Sequence, residues 1–557
     1  MPTLTLNKEV LEKLVGKKLS LDQLKDRISM LGTDLEKIED NEIVVEVFPN
    51  RPDMLSEPGF ARALSSFIGV KTGLREFKVN KASQNENYKV IIDRSVEKVR
   101  PFTACAIVKN IKFDDEKIRE IVQLQEKLHV TFGRHRKKLA IGIYPLEKIH
   151  LPITYTAMKP SEIRFRPLES DKEMTGLEIL ARHPAGKEYA HLLKDAKVFP
   201  LFVDAKGSVL SMPPIINSHE TGKVSEETSE VFIECSGFDY EVLSQCLNII
   251  VTSLAEMGGK IFEMILDYGR EKRRSPDLSP REWKLDIDYA RRMIGLQLSD
   301  SEIKKLLERM GFAYSETSRK VLIPAYRTDI LHQIDLAEDI AIAYGYENFE
   351  PEIPNVMTIG EEDPLEVFKN RAANILVGMG FIETISYNLT NKDVNSHKML
   401  IKGDSAVVEI ANSQTVDRSI MRSWVLPSLM QIFSENTNKE YPQKLFEIGT
   451  GFIHSSSEET GVDEVPKLAA AIARSDSDFT RIKQVVDELM KSLGLEFSLE
   501  KTDHPSFIVG RGAKILTGKK EIGFLGEINP LVLEGFGVQM PVSALELDIA
   551  KIYASLH

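Results

Sequence analysis

The stretch from Ile323 to Tyr346, IPAYRTDILHQIDLAEDIAIAYGY, constrains the chain more than any other. Pro324 closes the apolar run Val321, Leu322, Ile323, because proline has no N–H for a sheet ladder. Beyond Ile330 the period turns helical. Ile334, Ala337, Ile340, Ala341 and Tyr344 form one apolar arc, and Gly345 is placed to cap the end. Asp335, Glu338 and Asp339, spaced i, i+3, i+4, fall on the opposite face, with Asp329 at the expected N-cap. The helix dipole favours an acid at the N-terminus but fades after one turn. Like charges at this spacing cost ~0.2–0.5 kcal/mol per pair. A solvated acidic face is one reading; a hard divalent cation held by oxygen ligands is the other.

The chain of 557 residues is too long for one core, and three to five domains are expected. Its 42% hydrophobic and 28% charged content is ordinary for a globular protein. No apolar run approaches the ~18–20 residues that span a bilayer, and the start, MPTLTLNKEVLEKL, is amphipathic and charged, unlike a signal peptide. Cys105, Cys235 and Cys246 are scattered and odd in number, which points to a reducing cytoplasm. A formal charge of −12 argues against wrapping nucleic acid over the whole surface, so any RNA contact is local or shared with a partner.

Along the chain, Leu21–Leu31 has helical spacing, Glu42–Phe48 reads as a strand, and a helix is expected from Pro58 to Ile68. A polar stretch at residues 78–90 marks a boundary. The basic cluster Arg134, His135, Arg136, Lys137, Lys138 is a solvated run or an RNA-backbone contact. The helix Glu241–Met257 buries Cys246 and stops at Gly258-Gly259. Ser299 to Glu302 form a capping box. Two short helices with a small sheet there resemble a winged-helix nucleic-acid-binding module, for which Lys304, Lys305 and Arg309 offer modest positive charge. Between residues 198 and 239, apolar strands carry Ser211, Asn217, Ser218, His219, Thr221, Glu234 and Ser236; spacing alone declares no catalytic triad.

The string YRTDI…DLAEDIAIAYGYENF is similar to a signature of the phenylalanyl-tRNA synthetase beta-subunit family. The resemblance implies that Asp329, Asp335, Glu338 and Asp339 are Mg²⁺ ligands. NRPDMLS…G.ARAL resembles the family's N-terminal module, and PPIINS…VFIE.SG.D resembles its editing-site core, where Ser236 stands in place of the usual threonine. The implied architecture is α+β and multidomain. An N-terminal α/β module spans 1–90, an editing, tRNA-binding domain 91–268 and a winged-helix-like module 269–350. A class II aminoacyl-tRNA synthetase-like antiparallel sheet with helices spans 351–557, including FIETISYNL as a strand, Met421-Arg422 before a helix and LFEIG as a central strand.

That last module departs from a working synthetase site. Glu521 to Ala550 contains neither Lys nor Arg, so it cannot organise a triphosphate. The resemblance therefore implies a non-synthetic subunit of phenylalanine–tRNA ligase in a cytoplasmic assembly of two alpha and two beta chains, with ATP bound by the alpha subunit and phenylalanine tRNA as substrate. The length, with no anticodon-binding extension, is of the archaeal and eukaryotic type. A stand-alone deacylase or a winged-helix nucleic-acid-binding protein is the alternative. In the editing site, an apolar phenylalanine pocket rejects an added hydroxyl by only ~10²-fold, so a second sieve must recognise the phenol of tyrosine. Glu234 is the expected acceptor, Ser211, Asn217 and Ser236 position water or the ester, and His219 is a weaker candidate.

Overall fold

The computed structural model describes residues 2–83, 86–403 and 407–556. The chain divides into two compact units, Met1–Ile353 and Pro354–His557. Among the described residues no helix is long and apolar enough to cross a membrane.

The first unit begins with an antiparallel sheet of β1 (Thr3–Asn7), β2 (Asp34–Glu39) and β3 (Glu42–Glu46) in the order β1-β3-β2. Leu4 and Ile43 from this sheet share a core with helices α1 (Lys8–Val15), α2 (Leu21–Met30) and α3 (Glu57–Phe67), which contribute Leu11, Ile28 and Phe60. Ser20 caps α2 reciprocally with Gln23, and Ser56 caps α3.

An 11-stranded mixed sheet follows. Its principal strands are β4 (Lys89–Ile92), β5 (Phe102–Lys109), β6 (Leu139–Pro145), β7 (Ile153–Met158), β8 (Phe199–Val203), β9 (Val209–Met212), β10 (Ile216–Asn217), β11 (Val231–Gly237) and β12 (Lys260–Asp267). They run in the order β10-β9-β8-β7-β4-β12-β5-β11-β6. Strand β11 lies between β5 and β6, so both of its neighbours bond to it and all seven of its residues are buried. Helix α4 (Asp115–Val130) leads into β6, and α5 (Tyr240–Glu256) buries Cys246, Ile249 and Leu254, as its spacing requires.

The unit closes with β13 (Arg281–Lys284), α6 (Ile287–Ile294), α7 (Asp300–Arg309), β14 (Ala313–Ser315), β15 (Lys320–Ile323) and α8 (Gln333–Tyr344). The three strands pair in the order β13-β15-β14. The capping box on α7 forms: Ser299 Oγ accepts Glu302 N–H at 3.3 Å, and Glu302 Oε2 accepts Ser299 N–H at 2.7 Å. Helix α8 differs from its expected form. Its N-cap is His332, not Asp329. Ile334 is 39% exposed, and the buried face is Leu336, Ala337, Asp339, Ile340, Ala341 and Ala343. Gly345 ends the helix with φ 97°, a conformation that suits glycine.

The second unit is a seven-stranded sheet with helices on both faces. Its elements are α9 (Pro364–Gly378), β16 (Ile382–Glu383), α10 (Leu426–Glu435), β17 (Gln443–His454), β18 (Val462–Ala473), α11 (Phe479–Leu493), β19 (Ser498–Lys501), β20 (Phe507–Thr517), β21 (Lys520–Ile528) and β22 (Val542–Asp548). The order is β16-β17-β18-β22-β21-β20-β19, antiparallel except for β16 with β17. The run LAAAIA in β18 alternates cleanly. Leu468, Ala470 and Ile472 join the core with α9 and α11, while Ala469, Ala471 and Ala473 join the core with α10. LFEIG lies in β17, which is next to the edge of the sheet rather than central, with only the two-residue β16 outside it. FIETISYNL does not form one strand. Only Ile382–Glu383 and Leu389–Thr390 pair, and Ile385 and Tyr387 between them are 93% and 73% exposed.

Candidate functional site

Two groups of titratable side chains in the first unit carry the chemistry. The first surrounds Arg327, in the turn before α8. Its Nε and Nη2 grip Asp329 at 2.8 and 2.7 Å, and the same Nη2 donates to Asp339 at 2.6 Å. Nη1 donates to the Met310 carbonyl at 3.3 Å, and the guanidinium lies 4.9 Å from the Phe312 ring. Burial pushes Asp329 upward, but the charge and hydrogen bonds of Arg327 outweigh it and hold the carboxyl below its usual range. Burial raises Asp339 to about 6, against the pull of Arg327. Asp335 accepts the N–H groups of Leu331 and His332, each at 2.7 Å, and so closes the N-terminus of α8. Glu338 is exposed.

The four acids therefore do not fit the expected Mg²⁺ cage. A guanidinium occupies the position between Asp329 and Asp339, Asp335 is committed to backbone donors, and Glu338 points to solvent. Among the described residues no three acidic, histidine or cysteine side chains converge as a metal site. A repeated Arg-x-Asp clasp supplies the compensation instead. Arg51 grips Asp53 in the same bidentate way, at 2.9 Å through both Nε and Nη2.

The second group lies on β11 and the strands beside it. Glu234 is 1% exposed, directly opposite Cys105 of β5 and Gly142 of β6. The absent side chain at Gly142 lets Tyr144 fold back along its strand; a Cβ there would lie 2.1 Å from the Tyr144 phenol oxygen. That phenol donates to Glu234 Oε1 at 3.2 Å and approaches Asn217 Oδ1 at 3.4 Å, while its ring stacks on Phe232 at 5.8 Å. Glu234 Oε2, Ser211 Oγ and Ser236 Oγ are buried and make no hydrogen bond of good geometry, although Ser236 lies close enough to Glu234, and Ser211 to Tyr144, to influence their protonation. Buried polar atoms are ordinarily satisfied, so three orphans in one neighbourhood mark a place for a polar guest. Burial raises Glu234 to about 8, against the hydrogen bond from Tyr144, the charge of Arg100 and the nearby Ser236 hydroxyl.

A cavity of about 170 Å³ opens beside Glu234, with Ser211, Asn217, Ile215, Ala140 and Arg136 among its walls. Arg136 builds one wall. Its Nη1 donates to the carbonyls of Pro214 and Ile215 at 3.2 and 2.9 Å, its Nη2 meets Glu126 at 3.0 Å, and it stacks over Tyr189 at 4.3 Å. Ser236 sits two residues along β11 from Glu234, outside the lining. His219 lines an adjoining cavity of about 630 Å³, together with Phe113, Ile118 and Val224; Gln125, Glu126, Leu168, Glu169 and Asn217 border both spaces. The structure thus gathers Ser211, Asn217 and Glu234 at one cavity, keeps Ser236 close by, and puts His219 in the adjoining cavity, with its Nδ1 also buried and unpaired.

In the second unit Arg422, which precedes α10, is locked inside. Arg422 is 3% exposed and pairs through Nη1 with Glu447 at 2.6 Å, while its Nε donates to the Thr450 carbonyl at 2.9 Å. The cavity of about 260 Å³ on this unit is lined by Trp424, His504, Phe524, Lys467 and Glu546 among others. Lys467 is paired with Glu546 at 3.4 Å. Glu546 in turn accepts the Val425 and Leu426 N–H groups at 2.9 and 2.8 Å. Burial lowers His504 to about 4, so it is neutral at physiological pH. No uncommitted cation faces this space among the described residues.

Residues 350–549 match the family profile described as the phenylalanyl tRNA synthetase beta chain CLM domain, and residues 283–346 match the tRNA synthetase B5 domain. The chain is 41% identical over 560 residues to the phenylalanine–tRNA ligase beta subunit of Pyrococcus abyssi, covering 99% of this chain and 100% of that one. The chain belongs to the phenylalanine–tRNA ligase beta subunit family. The family member of Archaeoglobus fulgidus is 40% identical over 557 residues, covering 99% of both chains. The crystal structure of an N-terminal fragment of the phenylalanyl-tRNA synthetase beta-subunit from Pyrococcus horikoshii is 40% identical, with a TM-score of 0.59, and covers 62% of this chain and 99% of the fragment.

Placing this beta-family chain in three dimensions adds three residues that pattern reading left without a role, Arg327, Tyr144 and Gly142, and moves Arg136 from the basic run to a cavity wall. A signal existed for some of them. Glycine inside the apolar strand LAIGIYP marks a close approach by another group, and arginine two residues before aspartate fits a bidentate clasp.

Proposed function

We propose that the chain is the beta subunit of a two-alpha, two-beta phenylalanine–tRNA ligase. In this reading the alpha subunit attaches phenylalanine to its tRNA with ATP and Mg²⁺ in the cytoplasm, and the beta chain hydrolyses tyrosine wrongly attached to that tRNA. The 11-stranded domain serves as the editing domain, the module around β13 to α8 is winged-helix-like, and the second unit is a class II-like module without synthetic activity.

The observation that carries the editing reading is the orphaned oxygen Glu234 Oε2, buried with Ser211 Oγ and Ser236 Oγ beside a cavity. A tyrosyl phenol entering that cavity gives Glu234 the partner it lacks. Phenylalanine leaves the carboxyl group unsatisfied, and a site built to bond a hydroxyl rejects the analogue lacking it by ~10⁴–10⁵. Tyr144 already makes one phenol–Glu234 contact within the fold, so the pairing is geometrically sound. The neutral Glu234 carboxyl can accept from the guest phenol or donate to it, and Ser211 and Asn217 are placed to orient the ester and a water. The attacking water forms the new bond to the ester carbonyl, and the terminal ribose oxygen leaves with its proton restored.

Two observations support the division of labour. Arg422 and Lys467 are consumed by internal carboxylates, so neither is free to meet a triphosphate. Its β16 edge exposes Ile382, Ile385 and Tyr387, with Val416 also 87% exposed, an apolar set that suits cover by another chain. The deciding experiment follows deacylation of tyrosyl-tRNA by the assembled enzyme carrying Glu234→Ala. Tyrosine clearance should fall by orders of magnitude while phenylalanine charging persists. Unchanged clearance removes Glu234 from the site.

A further inference from the structure

The basic run that follows α4 has a shape that its composition alone does not explain. Arg134, His135 and Arg136 are three consecutive non-glycine residues in the left-handed region, with φ of 48°, 53° and 62°. Each costs roughly 1–2 kcal/mol relative to a right-handed conformation. The turn is nonetheless fully tied. Gly133 N–H donates to Leu128 at 2.7 Å, His135 to Val130 at 3.2 Å, Arg136 to His129 at 3.1 Å and Lys138 to Gly133 at 2.9 Å. His129 is itself buried and accepts the Ile141 N–H through Nε2 at 2.8 Å, which joins the end of α4 to β6.

This left-handed turn sorts the charges. Arg136 is driven inward, where it bonds the Pro214 and Ile215 carbonyls and forms a wall of the Glu234 cavity. Arg134, His135, Lys137 and Lys138 remain exposed on the same short turn. Among the described residues, Arg134, Lys137 and Lys138 have no carboxylate within ion-pair reach, whereas Arg136 and His129 both engage Glu126. Glu169 and Glu234 are the other acids bordering the cavity. A patch of three positive charges with no carboxylate partner among the described residues therefore sits on the turn whose Arg136 forms a wall of the cavity, in a chain whose net charge is −12.

We propose that Arg134, Lys137 and Lys138 form a preorganised phosphate-binding rim that holds the single-stranded 3′ end of an RNA as its terminal ester enters the cavity beside Glu234. This rests on the editing reading above, since the rim needs an ester-bearing RNA end to guide. The ligand chemistry is that of consecutive phosphodiesters. The contacts are with the backbone and are blind to sequence. Local positive charge on an acidic protein concentrates a polyanion at this one place and repels it elsewhere. The strained backbone keeps the inward arginine and the outward cations in fixed relation, so that the RNA end and the cavity wall are positioned by one element.

The test uses the assembled enzyme with Arg134→Ala, Lys137→Ala and Lys138→Ala together, leaving Arg136 intact. Two substrates are compared: tyrosyl-tRNA, and a tyrosine ester of adenosine that lacks the RNA chain. Losing three phosphate contacts should raise KM for tyrosyl-tRNA about tenfold and flatten the slope of log kcat/KM against log salt by about 2. Hydrolysis of the adenosine ester should not change. An unaltered KM and salt slope for tyrosyl-tRNA overturns the proposal, as does equal damage to both substrates, which would mean that the turn only shapes the cavity. If the wild-type enzyme hydrolyses neither ester, the editing reading fails by itself. Affinity for an uncharged RNA hairpin ending in a single-stranded 3′ tail then decides the rim: weaker, less salt-dependent binding by the variant upholds it, and equal binding refutes it.

Discussion

The phenol of Tyr144 donates to Oε1 of Glu234 at 3.2 Å and leaves the second carboxyl oxygen with no partner. The chain thus satisfies half of a buried acid and keeps the other half available. Tyr144→Phe should remove that bond, cost about 1–3 kcal/mol in stability and loosen the selection of tyrosine over phenylalanine. Gly142→Ala should reproduce the effect from the neighbouring position, because its Cβ would lie 2.1 Å from the phenol oxygen. Chemical denaturation and deacylation of both aminoacyl-tRNAs measure the two consequences; divergent behaviour of the two variants would separate Tyr144 from the selection.

A pH dependence follows from two buried carboxyls. Burial raises Glu234 to about 8 and Glu57 to about 7 from the ordinary carboxylate range. Between the unfolded and folded values, the native state holds a proton that the unfolded chain has released, so stability falls as pH rises from about 4.5 through 8. Glu234→Gln with Glu57→Gln should flatten that decline, with a gain of a few kcal/mol at pH 8. Denaturant midpoints at pH 5, 6.5 and 8 check it, and parallel curves for the variant and the parent would contradict it.

Arg327 is the only cation bonded to both Asp329 and Asp339 among the described residues. Arg327→Met should destabilise the first unit by about 3–5 kcal/mol, because it strands two carboxylates in the interior. Adding Asp329→Leu and Asp339→Leu should recover much of the loss. Mg²⁺ titrated into the chain should give no saturable heat that Asp339→Asn abolishes; a stoichiometric heat lost in that variant would restore the metal reading of the helix.

Nucleotide handling offers a further check. Equilibrium dialysis of the isolated chain should retain no ATP, and Arg422→Ala should lower the thermal midpoint without changing that result. Retention sensitive to Arg422 would show that the guanidinium leaves Glu447 for a phosphate.

Local devices were legible in the sequence because their partners lie a few residues apart. The Ser299–Glu302 box, the glycine stop at Gly345 and the burial of Cys246 on a 17-residue helix all belong to this class. Relationships made by sheet register were not. Tyr144 and Glu234 are 90 positions apart, and they meet only because Phe232 pairs with Tyr144 and Glu234 with Gly142. The acidic helix misled for a different reason. Its periodicity puts Ile334 inside and the acids of the helix outside, but an internal arginine makes Asp339 a core residue and leaves Ile334 39% exposed. A buried ion pair inverts a hydrophobic pattern that assumes charges belong at the surface.

The Arg422–Glu447 pair carries a consequence for how such a module could change over time. Turning the arginine outward leaves a carboxylate buried and alone. Losing the carboxylate first leaves a buried cation in the same position. Either single replacement passes through a chain weakened by several kcal/mol on a stability that is rarely more than ~15. The two residues hold each other in place as a ratchet, so neither position changes its charge by one step without a loss of stability.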